Sequence, residues 1–166
     1  MSQSNQRKQL TLCMVCEPER ILLGMKKRGF GSGLWNGFGG KVEPGESIPA
    51  AAVRELQEEA GLTAHTCAPL GRLEFVYEGM SEIYVVTVFR VDEYTGTVQE
   101  SEEMRPAWFS LTALPFSAMW PSDQAWFPYL LARQSFIGRV TFAPLENGRP
   151  IEVVSCTIEP VAAVAV

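Results

Sequence analysis

The stretch RELQEEAGL holds three glutamates, Glu55, Glu58 and Glu59, at spacings of one, three and four residues. If it is helical, a step of about 100° per residue gathers all three into roughly one 100° sector. Like charges three or four apart cost about 0.2–0.5 kcal/mol per pair. Glu58 and Glu59 also fall in the last turn, where the helix dipole favours cations. A divalent ion would offset both penalties. Carboxylates clustered without histidine or thiol suit a hard cation, Mg2+ or, as an alternative, Mn2+. The plainer reading is a solvated acidic face.

Just upstream runs RGFGSGLWNGFGGKVEPGES, from Arg28 to Ser47, with six glycines before Glu43. So many glycines mark a loop whose backbone is free to approach another group closely. A helix is expected from Ile48 to Ala60, with Ser47 as N-cap, Pro49 in the first turn and Gly61 as the C′ residue. Val53, Leu56, Ala60 and Pro49 are its expected core face, opposite the glutamates.

Residues 10–17 and 20–26 read as strands joined at Pro18-Glu19. Residues 69–78 and 82–91 read as a strand pair, and 105–110 as a further strand. A second helix is expected within 123–134, where Pro128 is awkward outside the first turn. Residues 137–143 and 150–158 read as a hairpin around Glu146-Asn147-Gly148. No repeat or linker divides the chain. It reads as a single domain, residues 1–166, with one mixed sheet, packed helices and loose tails at 1–8 and 160–166.

Composition narrows the classes. With 166 residues, 46% apolar, 20% charged and a net charge of −5, the chain can build a core but has no electrostatic grip on a nucleic acid polymer. No apolar run reaches the roughly 18–20 residues that span a bilayer, and MSQSNQRKQL lacks the apolar region of a secretory signal. A cytoplasmic location is expected, with organellar or nuclear pools open. The four cysteines include a CxxC at Cys13 and Cys16, within a strand where residues three apart face opposite ways. With His65 the only histidine, plain core cysteines are expected rather than zinc or redox chemistry.

Gly40, Glu46, Arg54-Glu55-Leu56, Glu58-Glu59 and Gly61-Leu62 stand at fixed spacings over 23 positions. They resemble the signature of the Nudix hydrolase family at every fixed position. LLGMKKRGFG, WNGFGGKVEPGE, EEMRPAWF and MWP…WFP are similar to the branch that hydrolyses oxidised purine nucleoside triphosphates such as 8-oxo-dGTP and 2-hydroxy-dATP. The likeness runs from about Leu10 to Gly138; the last thirty residues match less clearly.

The resemblance implies an α/β/α sandwich (α+β, with a mixed sheet) and metal-dependent hydrolysis to the monophosphate and pyrophosphate by a monomer. It implies Glu55, Glu58, Glu59 and Glu103 as catalytic residues, and these with the Gly39 carbonyl as metal ligands. Glu59 or Glu103 would orient or deprotonate water. It assigns Glu46, Arg54 and Gly61 to holding the motif together. It places Thr11, Lys26, Phe30, Asn36, Phe38, Gly39, Gly40, Lys41, Phe75, Trp120, Ser122 and Asp123 at the substrate. One departure stands out: the family usually has two aspartates after Trp-Pro, where this chain has Ser122-Asp123. Ser122 is then either a base-selecting residue or a helix cap. Two other readings remain open. One is a hydrolase of another nucleoside diphosphate-linked substrate, such as a methylated purine triphosphate, ADP-ribose or a nucleotide sugar. The other is a non-catalytic binding module. No proline occurs from Gly71 to Arg105, unlike the ADP-ribose pattern, and the glutamates that binding modules often lose are all present.

Overall fold

A computed structural model describes residues 6–166. Its strands are β1 (Arg7–Cys16), β2 (Arg20–Lys26), β3 (Trp35–Asn36), β4 (Leu62–Ala64), β5 (Ala68–Tyr77), β6 (Ile83–Val91), β7 (Tyr94–Gly96), β8 (Met104–Ser110), β9 (Phe136–Phe142) and β10 (Val153–Pro160). The helices are α1 (Ile48–Ala60) and α2 (Asp123–Leu131). The main sheet runs β10-β9-β5-β6-β1-β2-β3, with β8 also on β2; β4 and β7 form a separate pair.

The sheet is mixed because β1 pairs in parallel with β6 and β5 in parallel with β9. Apolar residues cover both of its faces. On one, Cys13, Val15, Leu22 and Phe89 pack against Ala52, Leu56 and Ala60 of α1. On the other, Met14, Leu23, Leu73 and Val88 pack against Trp126, Phe127 and Leu130 of α2. The two helices thus flank the sheet as an α/β/α sandwich. Cys13 and Cys16 are buried free thiols on opposite faces.

One irregularity positions everything that follows. β1 registers with β2 only at Val15–Leu22 and Cys16–Ile21. Earlier in β1 the glycine-rich loop takes the partner's place. Cys13 and Phe38 exchange backbone hydrogen bonds of 2.5 and 3.0 Å, and the Thr11 N–H donates to the Gly40 carbonyl at 2.9 Å. Gly39 fits because a β-carbon there would overlap the Thr11 carbonyl.

Several expectations are corrected. The buried side of α1 is Ala51, Ala52, Leu56, Glu59 and Ala60, while Val53 and Pro49 are only half-buried. Pro128 lies inside α2 rather than in its first turn. The short strands β3, β4 and β7 went unforeseen. Of the residues expected in loose ends, Arg7 and Lys8 belong to β1 and Pro160 to β10; beyond it Val164 is buried, and Arg72 donates to the Ala165 carbonyl at 2.5 Å. Residues 1–5 of the expected N-terminal tail lie outside the described ones. No helix among the described residues is long and apolar enough to cross a membrane.

Ser47 caps α1 by accepting the Ala50 N–H at 3.2 Å, and Gly61 closes it at φ 73° with its N–H on the Gln57 carbonyl. A β-carbon on Gly61 would meet the Thr97 carbonyl at 3.0 Å. Gly61→Ala is therefore expected to destabilise the fold by at least ~1 kcal/mol, read as a lowered denaturant midpoint.

Candidate active site

α1 carries its acids toward the glycine-rich loop. Glu59 is 7% exposed, and its Oε1 accepts the Gly39 N–H at 2.7 Å. Glu55 stands against Gly40, where a β-carbon would lie 2.5 Å from its Oε1. At Gly40 only a glycine admits the Glu55 carboxylate this close. Arg54 ties the arrangement together. Its Nε and Nη2 donate to the two carboxylate oxygens of Glu46 at 2.7 and 3.0 Å, and its Nη1 donates to Glu55 at 3.0 Å. Its Nη2 also reaches the Lys41 carbonyl at 3.3 Å, so helix and loop are joined at the motif.

These contacts set the charges. Burial pushes Glu59 up to about 7; the Gly39 N–H opposes this, and the negative charges of Glu55 and Glu103 add to it. Burial also raises Glu55 against the pull of Arg54. Glu46 moves the other way, held down by Arg54. Two desolvated carboxylates beside one another are costly unless a cation or a proton neutralises them. Oxygen donors alone, half removed from water, fit a hard divalent cation.

The five expected ligands are not gathered into one cage. Among the described residues, no group of three His, Cys, Asp or Glu side chains is drawn close enough to hold an ion. Protein cations account for this. Glu58 is exposed and paired with Arg54 at 3.2 Å, and Glu103 is bound by Arg28 at 2.6 and 2.8 Å. Glu55, Glu59 and Gly39 form the part of the set that stands together.

Beside this acidic end opens a cavity of about 160 Å³. It is lined by Thr11, Lys26, Phe30, Asn36, Gly39, Gly40, Glu59, Phe75, Trp120 and Asp123 from the sequence reading. Tyr77, Tyr84, Met104 and Trp126 also line it and were missed. Period-two alternation from Phe75 to Tyr77 was the available signal. Trp120 stacks near-parallel with Phe75 at 6.1 Å, and Phe30 lies 5.4 Å from Trp120. Such aromatic faces suit a planar ring laid against them.

Three expected substrate residues do not line the cavity. Phe38 is fully buried on the α1 side, because its backbone bonds to Cys13 face it inward. Lys41 is exposed, on an edge beside Leu10. Ser122 is 3% exposed next to the lining residue Asp123; its hydroxyl makes no helix-capping bond and has no partner. The helix-cap reading of Ser122 therefore has no hydrogen bond behind it.

The polar atoms inside are few and open. Thr11 Oγ1 and Asp123 Oδ2 are buried without partners. Asn36 Oδ1 already accepts the Gly37 N–H at 2.8 Å, which leaves its NH2 group to donate. Burial pushes Asp123 up to about 8, against hydrogen bonds from Trp126 and the Trp120 backbone. At neutral pH its carboxyl is mostly protonated and can donate as well as accept.

A paired-carboxylate helix, a glycine-rich loop and an aromatic cavity on an α/β/α sandwich together define a nucleotide-processing class of fold. The family model for the NUDIX domain matches residues 7–130, and the chain belongs to that family. A Danio rerio protein named oxidized purine nucleoside triphosphate hydrolase is 53% identical over 135 residues, covering 81% of this chain and 86% of its own. The Mus musculus protein of that name is 52% identical, over 80% and 85% of the two chains. The solved MutT protein of Bacillus halodurans has a TM-score of 0.78 at 26% identity, covering 92% of this chain and 97% of its own.

The raised Asp123 has a measurable consequence. Its folded value of about 8 exceeds the unfolded value of about 3.9, so stability falls as pH rises through that window. Wild-type protein is expected to lose at least ~1 kcal/mol of unfolding free energy between about pH 5 and 8 relative to Asp123→Asn, by urea denaturation at each pH.

Proposed function

We propose that this protein hydrolyses oxidised purine nucleoside triphosphates, such as 8-oxo-dGTP and 2-hydroxy-dATP, to the monophosphate and pyrophosphate. One observation carries the reading: unpartnered buried polar atoms, Thr11 Oγ1 and Asp123 Oδ2, face an aromatic cavity that ends at the buried carboxylate of Glu59. A purine against the wall of Trp120, Phe75 and Phe30 would satisfy those atoms while its phosphates extend toward Glu55 and Glu59. The printed names of the Danio rerio and Mus musculus relatives support the same substrate class.

Hydrolysis of a phosphoanhydride depends on positioning and charge neutralisation. Glu55, Glu59 and the Gly39 carbonyl would hold a divalent cation, Mg2+ in our reading, with Glu58 and Glu103 joining on release from Arg54 and Arg28. Such an ion supplies charge neutralisation at phosphate oxygens and lowers the pKa of bound water. The protein's own share is distinct. Arg54 and Glu46 fix α1 against the loop. Gly39 and Gly40 bring backbone to the acids without steric cost. Lys26, at the cavity wall, offers a cation to the phosphates. Glu59, as a carboxylate, can accept a proton from the attacking water, with Glu103 as the alternative acceptor.

The test is pyrophosphate release from a panel of nucleotides with and without Mg2+. 8-oxo-dGTP is expected to be turned over well above dGTP, ADP-ribose and nucleotide sugars. Glu59→Gln is expected to lower kcat by at least ~10²-fold with the fold intact, the scale of losing a positioned electrostatic group. Retained turnover in that variant would remove Glu59 from the mechanism.

Ser122 concerns selectivity. Two neighbouring carboxylates can share a proton and present donor or acceptor as a base demands. Here a buried, unpartnered hydroxyl replaces one of them, leaving Asp123 as the ionisable partner. Ser122→Asp is expected to change the kcat/KM ratio of 8-oxo-dGTP to 2-hydroxy-dATP by at least ~5-fold, about 1 kcal/mol of differential transition-state binding. An unchanged ratio at several pH values would place base choice elsewhere.

A further inference from the structure

The connection between β2 and β3, residues 27–34, builds one wall of the cavity with Phe30, Gly31 and Leu34. Its base is closed by the Lys26 N–H on the Leu34 carbonyl at 3.2 Å and the Gly33 N–H on the Lys26 carbonyl at 2.8 Å, but its middle is poorly suited to hold itself. Gly29, Gly31 and Gly33 alternate along it with φ of 78°, 78° and 85°. Glycine loses more freedom on ordering than any other residue, so a loop so rich in it is costly to fix in place. Its first residues are tied at the acidic end: the Lys27 N–H donates to the Glu103 carbonyl at 2.9 Å, and Arg28 binds the Glu103 carboxylate. Local turns add Ser32 N–H to the Gly29 carbonyl at 3.1 Å and Leu34 N–H to the Gly31 carbonyl at 3.2 Å.

A further tie, on the middle of the loop, comes from residues 146–149. Between β9 and β10, Glu146 and Arg149 exchange backbone hydrogen bonds of 3.0 Å around Asn147 and Gly148, whose φ values are 52° and 72°. This tight turn leans on the loop. The Gly31 N–H donates to the Gly148 carbonyl at 2.9 Å, and the Arg149 guanidinium occupies the place a Gly33 side chain would take. On the other side, a β-carbon at Gly31 would meet the Trp120 ring at 3.1 Å. The loop is gripped between the C-terminal turn and the cavity's own aromatic wall.

We infer that Arg149 is a positioning residue for nucleotide binding: it clamps residues 29–34 so that Phe30 stands ready as a wall for the base. This rests on the nucleotide reading of the cavity. The argument is one of preorganisation. Phe30 is 38% exposed, and a ring carried on an unclamped glycine loop would have to be ordered each time a base arrived. The clamp removes that cost before binding and leaves the acids untouched, so its signature is in KM rather than kcat.

Arg149 is exposed, so Arg149→Ala is expected to fold. In the full chain, amide hydrogen exchange over 29–34 is expected to speed up at least ~10-fold in that variant, with α1 and β1 unchanged. With 8-oxo-dGTP and Mg2+, KM is expected to rise at least ~5-fold while kcat stays within ~2-fold. Arg149→Lys keeps the charge without the flat guanidinium and is expected to behave like the alanine variant. Unchanged exchange over 29–34 overturns the clamp, whatever the substrate. Faster exchange with unchanged KM, or wild-type KM in Arg149→Lys, overturns the positioning role of the guanidinium. Failure of the wild-type protein to hydrolyse 8-oxo-dGTP would overturn the functional reading instead. KM is then read on whichever nucleoside triphosphate the enzyme does hydrolyse, and the exchange result stands on its own.

Discussion

The site depends on a strand edge that the neighbouring β2 leaves open. β1 meets β2 only at its end, and over Thr11 to Cys13 its backbone is satisfied by the glycine-rich loop. Buried backbone groups must find partners, so this pairing is obligatory rather than decorative. It fixes the loop by main-chain hydrogen bonds and leaves the loop's other edge for α1. The Gly39 N–H is thus directed at Glu59, and the bare face of Gly40 at Glu55. Phe38 turns inward to the core as part of the same geometry, which plants the loop between two packed layers.

Electrostatics follow from that placement. α1 has no basic residue in its last turn and no acid in its first, so its charge pattern opposes its dipole. Arg54 offsets part of the strain by contacting Glu46, Glu55 and Glu58 together. At the cavity's other end, Asp123 stays buried at the expense of its ionisation. The cavity therefore joins a region that favours a cation to one that favours a protonated carboxyl. A ligand with a polyanionic tail and a polar heterocycle matches both.

Much of this was legible in the residues. Carboxylate spacing located the helix, glycine density located the loop, and Ser47 and Gly61 marked the helix ends through local backbone chemistry. Burial was harder to read. Ala51 and Ala52 carry little apolar signal, so Val53 was assigned to the core face and Glu59 to the opposite one. Phe30 and Phe38 are equivalent in composition; only the pairing of Phe38 with Cys13 separates cavity wall from core. Parallel pairing of β1 with β6 was also beyond local reading, since Arg7 and Ile83 register across an intervening hairpin, loop and helix. Tyr84 enters the site through that pairing, whereas Tyr77 follows from the alternation that places Phe75 there.

That long-range pairing has a consequence for how the molecule is made. β1 precedes the other described strands, yet its principal partner is residues 83–91, and the sheet is extended only when β9 at 136–142 pairs with β5. Contacts so distant in sequence delay closure, because chain entropy is lost before they repay it. During synthesis the apolar strands β1 and β2 must therefore wait, with only a short mutual register, until β6 arrives. Most of the chain must be present before a binding-competent cavity can exist, and a truncated product is left with exposed strand edges rather than partial activity.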